Sequence, residues 1–210
     1  MDKSFKLLEK FKIPVPKFGL AKDEKQAVEI AKRVKYPVVL KIVSPQIVHK
    51  TDVGAIVKDV KNEEQLKESY KKIFSNVKKK VPKANIQGVL VQHMIGDGEC
   101  VIIGGKKDSQ FGQVVMFGGG GVLVELIQDT SFRVVPISKS DAKEMMEETK
   151  VYQVIRGFRG KKYDVNAVMD ILLKTSKLLK KNPAIAELDI NPVIVLSKKA
   201  FAVDVRIAVG

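Results

Sequence analysis

The chain has no tryptophan, one cysteine, two histidines and only 6% aromatic residues in 210 positions. With Cys100 alone, no intrachain disulfide can form, so a disulfide scaffold is excluded and a reducing, cytoplasmic compartment is expected. A single thiol in an apolar run reads as a packing residue. Long apolar runs are missing too: none approaches the roughly 18 residues of a membrane span. The opening MDKSFKLLEK is too charged for the apolar part of an export signal, so neither membrane insertion nor export is expected. Acidic residues are also in short supply, 24 against 38 Lys and Arg, which leaves a net charge of +14.

That basic balance carries no aromatic-rich RNA-binding signature and no helix-turn-helix pattern, because the lysines are spread along faces of predicted helices. No nucleic-acid partner is expected. Small anions such as nucleotides, phosphate and coenzyme A use the same positive potential. With 45% hydrophobic residues, the chain can bury one large core or two smaller ones.

Helical spacing predicts a short helix over Ser4–Phe11 and a second one started by Asp23 and Gln26, ending at Tyr36-Pro37. Val38–Val43 and Ala55–Val60 read as a hairpin with a long loop, and Asn62 with Gln65 opens a helix that buries Leu66, Tyr70, Ile73 and Val77. Gly88–Met94 reads as an apolar strand, followed by an IGDGE turn that marks a hinge. Strands are predicted at Cys100–Gly104, Val114–Phe117, Val122–Leu126 and Arg133–Pro136, then helices over Asp141–Thr149 and Val165–Lys181, then a hairpin of Ala186–Leu196 and Ala200–Ile207. Hairpins with helices between them indicate α+β with largely antiparallel sheets.

Four places can carry chemistry. Lys41 interrupts the apolar run VVLKIVS, where a charge is costly unless it meets an anion or, on an edge strand, reaches water. The loop SPQIVHKTDVG holds His49 and Gly54; a neutral imidazole is a competent nucleophile toward phosphoryl groups, although a loop histidine can equally be merely solvated. In ELDINPV, period two sets Glu187, Asp189 and Asn191 on one strand face, and Asp204 of AVDVRI can come opposite. One or two such oxygen ligands suffice for Mg²⁺ that shares phosphate oxygens, against the alternative of an ordinary polar sheet face. Fourth, Gly118–Gly121 permits close backbone approach, with Glu125, Asp129 and Arg133 nearby as possible contacts for phosphate or a partner.

Together these features resemble an ATP-grasp domain, in which two α+β lobes close on a nucleotide cleft. More closely, VVLKIVSPQIVHKTDVG, DSQFGQVVMFGGGG, DTSFRVVP and AELDINPV with AVDVRI resemble, over almost the whole chain, the β subunits of ADP-forming acetyl-CoA synthetases (acetate–CoA ligases), relatives of succinyl-CoA synthetase. The resemblance implies lobes at residues 1–94 and 95–210, with ATP or ADP as substrate, Mg²⁺ as cofactor, and a coenzyme A-binding α subunit as partner in a hetero-oligomer. The implied reaction is acyl-CoA + ADP + phosphate ⇌ acid + coenzyme A + ATP through phosphohistidine.

By the same resemblance His49 is a relay histidine and Asp189 the acid that orients a phosphorylated imidazole. Lys41 and Gly54 serve the phosphates, the backbone of Gln92, His93 and Met94 reads adenine, Glu99 holds ribose, and Asn191 with Asp204 holds Mg²⁺. Three positions depart from the family pattern: His93 replaces a usual Glu, Ala55 a second Gly, and Ser109 a Pro. Two other functions share these features: an ATP-grasp carboxylate ligase that forms acyl phosphate directly, and a regulatory nucleotide-binding module of an acetyltransferase.

Overall fold

A computed structural model of the chain describes residues 2–47, 50–120 and 129–210. It divides into two compact units, residues 16–94 and residues 3–15 together with 95–210. The opening helix α1 (Asp2–Lys10), expected with the first lobe, groups with the later residues. Its Phe5 and Leu8 are fully buried, and the carbonyl of Pro14 accepts a hydrogen bond from the Ala202 amide at 2.9 Å.

In residues 16–94, β1 (Phe18–Ala21), β2 (Val38–Val43), β3 (Ile56–Val60) and β4 (Gly88–His93) form an antiparallel sheet in the order β1-β4-β2-β3. Helices α2 (Glu24–Val34) and α3 (Glu63–Lys80) begin where predicted. Asp23 accepts from the Gln26 amide at 2.8 Å, and Asn62 accepts from the Gln65 amide at 2.9 Å, each satisfying a helix-end donor. Ala27, Ala31, Leu66, Ile73 and Val77 pack with Val38, Leu40, Ile42, Val89 and Val91 in one core. Strand alternation therefore turns Val39, Lys41, Leu90 and Gln92 to the sheet's other face.

The other unit holds β5 (Glu99–Asp108), β6 (Gly112–Gly119), β7 (Thr130–Val134), β8 (Ile185–Val195), β9 (Ala200–Ala202) and β10 (Arg206–Val209). Their order is β10-β8-β5-β6-β7, with β9 also on β8, and all the pairings are antiparallel. Helices α4 (Lys139–Glu147), α5 (Lys150–Gly157) and α6 (Val165–Lys181) accompany this sheet. Gly105 lets α6 come close: a Cβ there would lie 2.4 Å from Leu179.

Several expectations are corrected. The helix predicted over Asp141–Thr149 is α4, capped by Ser138 and Asp141, and a separate α5 follows it. Asp129 accepts from the Lys150 and Val151 amides at the start of α5, and Arg133 pairs with Glu148, so both have structural roles. The strand expected at Arg133–Pro136 is β7, and the strand expected over Ala200–Ile207 is broken at residues 203–205. The strand expected at Val122–Leu126, with Gly121 and Glu125, lies outside the described residues.

Candidate active site

Register organises the face of the six-stranded sheet opposite Gly105 and Leu179 into rows. One row runs Arg206, Asp189, Gly104, Met116 and Phe132 across β10, β8, β5, β6 and β7. The next runs Ala208, Glu187, Lys106, Val114 and Val134. One side of this face is thus charged and the other apolar, with Gly104 leaving open floor between them. The rows line a cavity of about 330 Å³ that includes Lys106, Met116, Phe132, Glu187 and Asp189.

Glu187, Asp189 and Asn191 share a face as expected, but the alternation breaks immediately afterwards. Val101 opposes Val193 while Ile103 opposes Ile190, so Asn191 and Pro192 together face Ile102 in a bulge. The neighbouring chain breaks at the same level: β9 sets Ala202 against Val193, and β10 sets Arg206 against Asp189. Carried through residues 203–205, this register puts Asp204 across from Asn191. An amide carbonyl and a carboxylate are hard oxygen donors, and such a pair fits Mg²⁺ that takes its remaining ligands from phosphate and water. Among the described residues no group of three or more His, Cys, Asp or Glu is placed to hold a metal.

Asp189 lies beside this pair. Its Oδ1 is buried without a hydrogen-bond partner. Burial pushes its carboxyl above the usual range; Arg206 opposes that shift, and Asp204 and Glu187 reinforce it. A carboxylate with an open acceptor lone pair suits an incoming N–H.

In residues 16–94, Lys41 is only 3% exposed. It lies on β2, an interior strand, in a row with Leu20, Leu90 and Ile56, so an edge-strand lysine reaching into water is ruled out. On the same face the Gln92 Nε2 is buried without a partner. The amides of His93 and Met94 are already engaged, donating to Lys17 at 2.9 Å and to Pro37 at 2.9 Å. Opposite Met94, Pro37 has no N–H to return, so the ladder leaves the Met94 carbonyl without its reciprocal donor. His93 has its Nδ1 2.8 Å from the Lys35 carbonyl; a carbonyl only accepts, so this nitrogen carries the proton and the ring braces the turn after α2.

Gly54 has φ of +64°, and a Cβ there would lie 2.7 Å from Asn76. Glu99 opens β5, half-buried and paired with Val195. His49 lies outside the described residues. The apolar rows through Met116 and Phe132 were missed from sequence; the period-two spacing of Val114 with Met116 and of Phe132 with Val134 was the available signal.

The unit of residues 95–210 thus presents Asn191, Asp204 and the partly buried Asp189, and residues 16–94 present the buried Lys41 on an interior strand. The model of the ATP-grasp domain matches residues 1–209. The β subunit of acetate–CoA ligase (ADP-forming) I from Pyrococcus furiosus is 44% identical over 201 residues, covering 95% of this chain and 87% of that subunit. Acetate–CoA ligase (ADP-forming) I from Archaeoglobus fulgidus is 45% identical over 97% of this chain, which spans only 30% of that longer protein. A solved structure of acetyl-coenzyme A synthetase 1 from Candidatus Korarchaeum cryptofilum, in complex with coenzyme A and Ca-AMPCP, matches 100% of this chain and 92% of its own with TM-score 0.97 and 44% identity. Another structure of that enzyme, with coenzyme A and Mg-AMPPCP and its phosphohistidine segment pointing towards the nucleotide binding site, matches at TM-score 0.88 and 40% identity, over 100% of this chain and 91% of its own. The chain belongs to the ATP-grasp family and, within it, to the β subunits of the ADP-forming acetate–CoA ligases.

Proposed function

We propose that this chain is the nucleotide-binding β subunit of an ADP-forming acetyl-CoA synthetase, which acts with a coenzyme A-binding α subunit. Phosphate displaces the thiolate of acyl-CoA to give acyl phosphate and coenzyme A. The phosphoryl group passes to an imidazole, which releases the acid, then to His49, and from His49 to the terminal phosphate oxygen of ADP, giving ATP and a free imidazole. Dividing a long transfer into short in-line steps keeps each within reach.

The observation that carries this reading is Asp189, whose buried Oδ1 lacks a partner beside the facing pair Asn191 and Asp204. In this reading Asp189 accepts the N–H of the phosphorylated imidazole and so holds its other nitrogen in line. Lys41 neutralises nucleotide phosphates, the Met94 carbonyl accepts from the adenine amino group, and Glu99 accepts from the ribose hydroxyls. Asn191 and Asp204 hold Mg²⁺, which when bound shields the charge of the phosphate oxygens.

The test is reconstitution with a candidate α subunit, following ATP made from acetyl-CoA, ADP and phosphate. Turnover is expected only with both subunits present, and is expected to be lost in His49→Asn. Full turnover by His49→Asn would identify a direct carboxylate ligase, and nucleotide binding without turnover alongside any α subunit would identify a sensor.

A further inference from the structure

Gln92 lies on β4, which runs between β1 and β2 inside the four-stranded sheet. It is 2% exposed, and its Nε2 is buried with no hydrogen-bond partner among the described residues. The residues before it on the strand, Val89, Leu90 and Val91, are apolar and fully buried. A further aliphatic side chain would suit this position, whereas a dry amide without a partner destabilises the fold. An amide kept in that place points to a ligand that takes its N–H.

Register places the donor. Antiparallel pairing sets Leu90 opposite Lys41 and Gln92 opposite Val39, and the Met94 amide donates to the Pro37 carbonyl at 2.9 Å. Along β4, Gln92 therefore stands midway between the level of Lys41 and that of Met94, two residues or about 6.6 Å from each. Lys41 and Gln92 share the sheet face turned away from the core that α2 and α3 cover. His93 alternates to the other face, where its ring reaches the Lys35 carbonyl. An ammonium and an amide nitrogen only donate, so Lys41 cannot satisfy the Gln92 Nε2, and the face suits a ligand rich in acceptors.

A nucleotide with its phosphates at Lys41 and its amino group at the Met94 carbonyl passes over the level of Gln92. In a purine nucleotide in the anti conformation, the base edge that faces back toward the 5′-phosphates carries N7. Adenine and guanine share this acceptor and pyrimidines lack it; beside it adenine has an amino donor and guanine a carbonyl acceptor. We infer that the Gln92 side chain determines base specificity: its Nε2 donates to N7 and selects a purine nucleoside diphosphate, while the Met94 carbonyl separates adenine from guanine. This inference rests on the reading of Lys41 and Met94 as parts of the nucleotide site.

The test measures Kd by calorimetry, in the complex with the α subunit, for ADP and for 7-deaza-ADP, in which a C–H replaces N7. Wild type is compared with Gln92→Met and Gln92→Leu, and thermal unfolding is recorded for each. Wild type is expected to bind ADP about 5–10-fold more tightly than the analogue, the equivalent of one neutral hydrogen bond. Either variant should weaken ADP by that same factor and leave the analogue unchanged, so that the preference disappears. Melting temperatures should match or exceed wild type, because the orphan donor is gone. Equal affinity of wild type for ADP and 7-deaza-ADP, a preference that survives in the variants, or an equal loss of both ligands would overturn the inference alone. A wild-type complex that binds neither ligand would overturn the nucleotide-site reading and this inference with it.

Discussion

Asp189→Asn separates function from stability because the two should move in opposite directions. One carboxylate oxygen is buried without a partner, and burial holds the group above the usual carboxylate range. Leaving a buried acceptor unpaired costs about 1–3 kcal/mol, more when it is charged. Arg206, directly across on β10, offsets part of this cost. The amide of Asn has nearly the same shape and is less costly to bury, so the variant is expected to gain about 1 kcal/mol. For a chain of this size that corresponds to a melting temperature higher by about 2–4 °C. Catalysis should fall: the amide presents an N–H where the imidazole needs an acceptor, and a comparable exchange beside a catalytic histidine costs roughly 10⁴-fold. Thermal unfolding and rapid-quench phosphoryl transfer with the α subunit measure the two effects. If stability and transfer both fall, Asp189 is a structural residue; if stability rises while transfer is unchanged, it lies outside the relay. Either result refutes the argument.

Lys41→Met should weaken ADP binding by about 10–100-fold in calorimetry, the equivalent of one charge-assisted hydrogen bond; unchanged affinity would remove Lys41 from the phosphate site. Gly105→Val should destabilise by about 1–3 kcal/mol through overpacking, because even a Cβ would stand 2.4 Å from Leu179, and Leu179→Ala in the same chain should recover part of the loss by chemical denaturation. Lys32 at 2.8 Å and Lys67 at 2.7 Å hold Glu63 down from 4.5 to about 2. The stability Glu63 contributes is therefore present above pH 4.5 and lost as pH falls toward 2. Wild type and Glu63→Gln should accordingly differ in melting temperature at neutral pH and converge in strong acid.

Local signals were legible wherever a short-range rule decides the outcome. The caps Asp23 and Asn62 started α2 and α3 where predicted. The period-two run of Glu187, Asp189 and Asn191 gave the polar face of β8. The bulge at Asn191-Pro192 was hidden, because it depends on which residues of β5 lie opposite. The strand β1 was missed because FGLA is four residues long with a central glycine, and it is held by pairing with β4 and by the approach of Ile30. Asp129 and Arg133 looked available for ligands because their partners, the start of α5 and Glu148, are 15 or more residues away in sequence. Lys41 was placed in the right strand, but that β2 lies between β4 and β3 and is no edge strand is something only the sheet order reveals.

The most direct test of the relay is phosphopeptide mapping after incubation with Mg²⁺ and labelled ATP, with and without the α subunit. The relay predicts acid-labile phosphate on His49 that is absent in His49→Asn and is discharged by ADP. A bare His49 in a complex that still turns over would contradict it.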